Sequence, residues 1–533
     1  MIKKLGPEDL DITIKFGGGL HTRASEDEID PREAKDGQNF LLDLENRELR
    51  NRPAFDLVGT APNGQPIRGG GSLLKADGSV SFLIQAGDTV YDWDGLSTFT
   101  PKKNVLDTSR LRGNWRTQNW TLDDKLILTD LSLDEVVKEY DGSALTDTVF
   151  TDENDASFGT FYAKYLNITN ERAVFGNLRD PSTTTNHLIV GSARGNYKQI
   201  TVTNRPSSGL SEADPFFLIT PDLRSVNGFV EAFGTSIIST EQGQLFKLSG
   251  QSAQDFLFDD FYPGSAASGE ESLAYIGNDI IFGRQGRIES VRDTERFGDA
   301  ENDDITVPVA NAIRAYTGWT TVYNSRLNRV YLFPEGVGEC WVFETSMRGG
   351  KLSPWMRWTT QHPVDFQPTF VMSMLDPVDT LEYVFMGDGQ GKLYRVEGTG
   401  TGGDGGSASM RTEWLTNLIS SPLDSQASGI EGYIKYRKNE AATVSLTFEY
   451  AGESAYNETI TIDIPEITGR PVYGGGLYYG NNEYYGTSFS GRLVRQQIFP
   501  PGQSNEFQVR VTVEGTTNFE INEIGIRFIA ASD

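Results

Sequence analysis

Short apolar runs broken by glycine, asparagine and aspartate recur along most of this chain: "SVSFLIQAG", "TVYDWDG", "KLILTDL", "NDIIFGRQG" and "RVYLFPEG". Runs of that length between turn residues predict strands, and long helical periodicity is nearly absent. Asp77-Gly78, Asp94-Gly95, Asp141-Gly142 and Asp388-Gly389 supply tight hairpin turns. The chain reads as all-β.

A loose repeat runs through it. Each unit is a strand with an aromatic or apolar centre followed by a polar turn. The centres are Tyr91, Tyr140, Val190, Phe246, Ile288, Val342 and Tyr394, with separations of 49, 50, 56, 42, 54 and 52 residues. That spacing is close to the ~40–50 residues of a four-stranded propeller blade. It predicts a β-propeller of about six or seven blades over residues 61–397, with two stacked sandwich domains as the competing arrangement. "GTGTGGDGGSAS", residues 398–409, has linker composition. Beyond it, in 410–533, alternation is strict. Val444, Leu446, Phe448 and Tyr450 share one face of one run; Phe507, Val509, Val511 and Val513 share one face of another. A period of two with one wet face predicts a C-terminal antiparallel β-sandwich. It would carry an exposed Gly/Asn/Tyr loop, 473–491, containing Tyr473, Tyr478, Tyr479, Tyr484 and Tyr485.

Composition narrows the function. The 533 residues exceed one ordinary core, and 37% hydrophobic content supplies core material for more than one domain. A net charge of -27 speaks against tight wrapping of DNA, which needs clustered Lys and Arg. The single cysteine, Cys340, allows no intrachain disulfide and fits assembly inside a cell. No apolar run approaches the ~20 residues of a membrane helix, and "MIKKLGPEDLDI" lacks the apolar stretch of a secretory signal.

Catalytic patterns are missing. His21, His187 and His362 stand far apart and outside any metal spacing. "GDGQGK" (387–392) precedes a strand, so it is read as a hairpin rather than a phosphate loop. The acidic stretches 152–157 and 298–307 lack the glycine-centred spacing of a calcium loop and are read as solvated. No cofactor, metal or catalytic residue is assigned, and the chain is expected not to be an enzyme.

The opening segment is the most specific. In "FGGGLHTRASEDEIDPREAKDGQNFLLDLENRELRNRPAFDLVG" a Gly-Gly-Leu entry (Gly18, Gly19, Leu20) leads to a Pro-started turn (Pro31 to Ala34). An Asn-Phe strand start (Asn39, Phe40) and an Arg-x-Arg-Pro exit (Arg50, Arg52, Pro53) follow. This order resembles the N-terminal signature of short-tailed bacteriophage tail nozzle proteins, the tail tubular protein B class. The resemblance covers about 45 residues closely and the remainder by architecture. It implies a virion tail subunit, assembled in the host cytoplasm into a homo-hexameric ring. That ring would continue the DNA channel below the tail adaptor ring and gate genome ejection. Partners would be the adaptor, tail fibre or tailspike proteins, the host envelope, and double-stranded DNA passing without specific binding. Within that reading, segment 1–60 is an anchor whose hairpin packs on the propeller through Leu41, Leu42 and Leu44. Its Arg47, Arg50, Arg52 and Pro53 are the assembly candidates, the arginines meeting carboxylates of a neighbour or of the chain itself. The alternative is a propeller carbohydrate-binding protein or glycosidase, with the tyrosines of 473–491 stacking on sugar.

Overall fold

The structure is a computed structural model. It describes residues 11–530 apart from 24–28, 43–47, 106–114, 153–158, 180–183, 202–210, 242–243, 263–271, 278, 294–299, 349, 360–366, 399–409, 418, 421–426, 439–441, 451–456, 465–491, 499–505 and 516–519. Nearly all regular structure is strand; the described helices are single turns at Val307–Val309, Ala310–Ile313 and Thr345–Met347. The chain divides into two bodies: Met1–Asp56 with Trp341–Gln361 and Glu397–Asp533, and Leu57–Cys340 with His362–Val396.

The larger body is a β-propeller. Four-stranded antiparallel sheets begin at Ile67, Trp115, Tyr162, Val226, Leu273, Trp319 and Phe370; in the one at Trp319, most of the third strand and the whole fourth strand, Trp355–Thr359, fall in the stretch grouped with the smaller body. The first strands of successive sheets touch in sequence, and Phe370–Leu375 returns to touch Ile67–Leu74, so the order closes on itself. The last sheet takes its outer strand from the other end of the unit: Asp56–Thr60 pairs with Lys392–Arg395. Closing a ring with an early strand satisfies an edge that would otherwise be bare.

Packing explains why these strands are apolar at most positions. Each sheet is covered on both faces. Leu83, Val90, Trp115, Leu128 and Tyr140 form the cluster between the first two sheets. Trp120, Phe150, Phe161 and Phe175 form the next, and Phe82, Trp93, Phe370 and Phe385 join the last sheet to the first. Phe82 and Phe385 meet edge to face with centroids 4.9 Å apart. All seven repeat centres, Tyr91 to Tyr394, lie on the third strand of their sheets. The spacing had therefore picked out one strand per sheet.

Gly78, Gly95 and Gly142 of the Asp-Gly turns take positive φ as expected, whereas in the turn after Asp388 it is Gly391 rather than Gly389 that does. Asp141 Oδ1 accepts from the N–H of Ser143 (2.9 Å) and Ala144 (2.8 Å) and from the Ser143 hydroxyl (2.7 Å), while Gly142 takes φ +87°. The Ala144 N–H, then the Ser143 hydroxyl and N–H, hold this carboxyl well below the usual carboxylate range. A lowered folded pKa contributes stability above the unfolded value, about 3.9, that is lost as pH falls through the folded one. Asp141→Ala is therefore expected to cost about 1 kcal/mol at pH 7, a modest figure because the group is mostly solvated. The gap should narrow steadily below pH 4. Urea titration of both proteins at pH 7 and pH 3 measures it.

The smaller body holds two six-stranded sheets. One runs Phe40–Leu42, Leu49–Asn51, Glu520–Ala530, Ala427–Lys438, Arg492–Ile498, with Asp11–Lys15 also on Glu520–Ala530. The other runs Asp36–Gln38, Met410–Leu415, Glu506–Gly515, Ala442–Tyr450, Glu458–Ile464, with Ile419–Ser420 on Glu506–Gly515. The alternation expected in 442–450 and 506–515 places its apolar sets opposite one another. Val444 faces Val513, Leu446 faces Val511, Phe448 faces Val509 and Tyr450 faces Phe507, all buried.

The strands of the expected anchor segment 1–60 are short, and several of them gain their ladders from the C-terminal strands. Asp36–Gln38 pairs with Met410–Leu415, and both Asp11–Lys15 and Leu49–Asn51 pair with Glu520–Ala530. The hairpin Phe40–Asn51 is grouped with this body, and its Phe40 carbonyl accepts from Trp358 on Trp355–Thr359, the fourth strand of the sheet that begins at Trp319. In it Leu42 is buried and Leu41 half-buried; Leu44 lies outside the described residues. Residues 341–361 also belong to this body, which the repeat spacing alone did not suggest.

Candidate functional site

Two residues of the opening segment, Asn39 and Arg52, meet in one buried polar knot. Asn39 has no exposed surface and sits at φ +58°, a left-handed conformation that asparagine tolerates better than most residues. Its side chain joins three distant stretches of chain. Nδ2 donates to Thr359 Oγ1 and to the Arg411 carbonyl, both at 3.0 Å. Oδ1 accepts from the Thr359 N–H at 2.7 Å and from Arg52 Nε at 2.9 Å. Its main chain adds three more bonds: N–H to the Arg357 carbonyl, and carbonyl from the Arg52 N–H and the Thr412 hydroxyl.

Arg52 completes the knot. It is fully buried, donates from Nη1 to the Pro53 carbonyl (2.8 Å) and from Nη2 to the Thr359 carbonyl (3.0 Å), and lies 4.0 Å from the Phe55 ring centroid. A planar fork with fixed donors suits this span of acceptors. Arg52 is thus neither a solvated edge charge nor a group that a neighbouring subunit can reach. Arg50 is one-third exposed and pairs within the chain, with Glu520 (3.1 Å) and Glu48 (3.4 Å). Pro53 serves through its carbonyl. Arg47 lies outside the described residues, as do Tyr473, Tyr478, Tyr479, Tyr484 and Tyr485.

The glycine entry is built just as tightly. The Gly19 N–H donates to the Ser353 carbonyl and the Leu20 N–H to the Trp355 carbonyl, each at 2.7 Å. The Gly18 N–H donates to the Arg32 carbonyl at 3.0 Å. The Pro-started stretch forms a turn in which Arg32 clasps Asp30 at 2.7 Å, and that hydrogen bond draws the Asp30 carboxyl below its ordinary value. The buried Glu33 carboxylate accepts from the Ser353 N–H and from His21 Nδ1 (2.9 Å). His21 is therefore a structural partner. Trp358 Nε1 donates to the Phe40 carbonyl at 2.9 Å, and Trp414 is met edge-on by both Phe16 and Phe40. The sequence reading missed Ser353, Thr359 and the tryptophans around them. The run "SPWMRWTT" is unusually aromatic, but nothing in it points to a partner more than 300 residues away.

The propeller body contains a second feature, a cavity of about 430 Å³ where all seven first strands come together. Arg116, Gln118, Tyr275, Thr321 and Ser373 are among its polar lining residues. Among the described lining residues Arg116 is the one that is charged, and none is Asp, Glu, His or Cys. Among the described residues, no cluster of three or more His, Cys, Asp or Glu has metal-holding geometry. Of the two acidic stretches, Ala300–Asp304 is a strand paired with Arg287–Asp293, and 153–158 lies outside the described residues. "GDGQGK" forms the hairpin between Glu382–Gly387 and Lys392–Arg395, with Asp388 Oδ1 accepting from the N–H of Gln390 and Lys392. Cys340 is buried on the strand Glu339–Glu344.

No family model matches the chain, and no curated protein matches it. Among solved structures it is similar to the WD40 domain of coronin from Toxoplasma gondii, at 8% identity over 69% of this chain and 87% of that one, TM-score 0.37. It is also similar to the β-propeller domain of Cps50 (Swd1) from Myceliophteria thermophila, at 12% identity over 65% and 100%, TM-score 0.35. A third is BBS1N solved in complex with ARL6DN, at 10% identity over 66% and 99%, TM-score 0.41. Likenesses this remote bear on no activity or partner.

Proposed function

We propose that this chain is a non-catalytic structural subunit of a short-tailed phage tail nozzle. In this reading its seven four-stranded sheets are seven propeller blades, and the two sheets of the smaller body form a sandwich. One observation carries it: the residues of the resembling segment hold positions that only those residue types fill well. Gly19 lies against main chain, Asn39 takes a left-handed conformation in the core, and Arg52 is spent on an internal fork. The segment therefore specifies a body plan, and a shared body plan is what a shared signature preserves in ring subunits. The acidic surface agrees. A conduit wall carrying clustered lysine and arginine would retain a passing polyanion, while negative charge lets it slide, screened beyond about 10 Å.

Such a subunit would form a homo-hexameric ring between the tail adaptor and the host envelope, beside tail fibres or tailspikes, and would hold no cofactor. A glycosidase acting in the propeller cavity would need two carboxylates at its wall; the described lining offers none. The test is copy number in purified particles, by quantitative mass spectrometry against the major capsid protein with antibody labelling for position. About six copies at the tail tip are expected. Absence from particles would refute the reading.

A further inference from the structure

Five exposed large apolar side chains lie at turns on one face of the propeller: Leu96 (67%), Val378 (59%), Leu122 (56%), Leu381 (45%) and Leu74 (40%). They occupy or border the turns of three sheets that are neighbours in the ring, the last, the first and the second. The turns touch. A methyl group placed on Gly95 would come 2.6 Å from Val378 and 2.7 Å from Pro377, so the turn holding Leu96 rests on the turn holding Val378. On the other side, the N–H of Leu74 donates to Asn119 Oδ1 and that of Ala76 to Asp124 Oδ1 at 2.7 Å, which ties the first sheet's turn to the one bearing Leu122. Single exposed leucines need no explanation, but five on adjoining turns of one face point to an interaction surface.

The group is also held rigid. Asp94 Oδ1 accepts from the N–H of Leu96 and Thr98, each at 2.9 Å; Asp376 Oδ1 accepts from the Val378 N–H at 2.8 Å; Asp379 Oδ1 accepts from the Leu381 N–H at 2.9 Å. Three of the five, Leu96, Val378 and Leu381, thus have their main chain fixed by an aspartate turn before anything binds, which lowers the entropic cost of association. The same turns set the charge. Asp77, Asp94, Asp123, Asp124, Asp141 and Asp379 lie in these or adjoining turns, against Lys75, Lys125 and Arg326; Lys125 already pairs with Asp141 at 3.4 Å, and Arg326 lies over the Tyr383 ring whose hydroxyl bonds Asp379. A second copy of a chain with net charge -27 is a poor match for that rim.

We infer that this face, built on the turns bearing Leu74, Leu96, Leu122, Val378 and Leu381, docks a partner polypeptide whose apolar side chains are flanked by lysine or arginine. The apolar tips give affinity, and the aspartate rim selects sign and speeds encounter.

The test uses the full chain and three short fluorescein-labelled peptides of equal length, made of leucine and lysine, leucine and glutamate, or serine and lysine. Fluorescence anisotropy is expected to show binding of the leucine–lysine peptide alone, weakened by salt. Leu96→Ser combined with Val378→Ser should weaken it roughly tenfold or more, with an unchanged circular dichroism spectrum, since both side chains are exposed. Unchanged affinity in the double variant, equal binding of the serine–lysine peptide, or no binding of the leucine–lysine peptide would each overturn the inference. So would sedimentation showing that the wild type self-associates and the double variant does not, because the face would then belong to a second copy.

Discussion

Arg52→Met is expected to destabilise the smaller body by about 3–5 kcal/mol, the scale for removing one partner from a buried charged network. The loss has identifiable parts. The Pro53 and Thr359 carbonyls and Asn39 Oδ1 each lose a charge-assisted donor in a site water does not reach, and Phe55 loses the cation over its ring. Methionine fills much of the volume, so the effect reports the hydrogen bonds more than a cavity. Arg52→Lys should restore little, because an ammonium on a flexible stem cannot span the same acceptors as a rigid fork. Arg50→Ala provides the contrast: Arg50 is one-third exposed, its pairs are with Glu520 and Glu48, and about 1 kcal/mol or less is expected. A chain of two bodies need not unfold in one step, so peptide-resolved hydrogen exchange is the right measurement. Peptides covering 36–42, 49–53, 353–359 and 410–415 should lose protection, while those from the propeller strands Val80–Ala86 and Glu382–Gly387 keep theirs. Equal effects from Arg52→Met and Arg50→Ala would mean that the knot does not hold this body together.

Local chemistry was legible in the sequence, and long-range closure was not. The apolar centres at Tyr91 through Tyr394 report the third strand of each sheet because that strand is covered on both sides, a demand that every sheet makes alike. The Asp-Gly turns and the alternation of 442–450 are equally local, set by hydrogen bonds or packing within a few residues. Where 1–60 would pair was hidden. A strand of three residues such as Asp36–Gln38 carries no mark of its partner, and Met410–Leu415 lies far along the chain. The arginines were noticed for their charge, yet charge did not sort them. Burial separates Arg52 from Arg50, and burial here depends on Thr359 and Trp358, which only the fold brings near. Asn39 looked like the start of a strand. Its positive φ and its bonds to Thr359, Arg411 and Arg52 make it the centre of the knot.

Gly19→Ala is expected to be the most damaging single methyl group in the resembling segment. A Cβ at Gly19 would fall 2.0 Å from the Trp355 carbonyl oxygen, 2.7 Å from its nitrogen and 2.8 Å from its carbonyl carbon. All three are main-chain atoms, so no side chain can turn aside. Relief requires the strand Trp355–Thr359 to move away, and that movement pulls on the Gly19–Ser353 and Leu20–Trp355 hydrogen bonds and on the bond from the Ala34 N–H to the Gly19 carbonyl. Overpacking with lost main-chain bonds falls in the exceptional range of about 4 kcal/mol or more, with insoluble expression as its practical form. Gly389→Ala is the matched control, since nothing lies within 4 Å of its added Cβ and its φ is not positive; thermal unfolding of that variant should be near wild type. If Gly19→Ala is soluble and its exchange in 353–359 is native, the close approach is not needed for folding. If it is insoluble while Gly389→Ala is normal, the glycine of the signature is there for the fit of main chain against main chain.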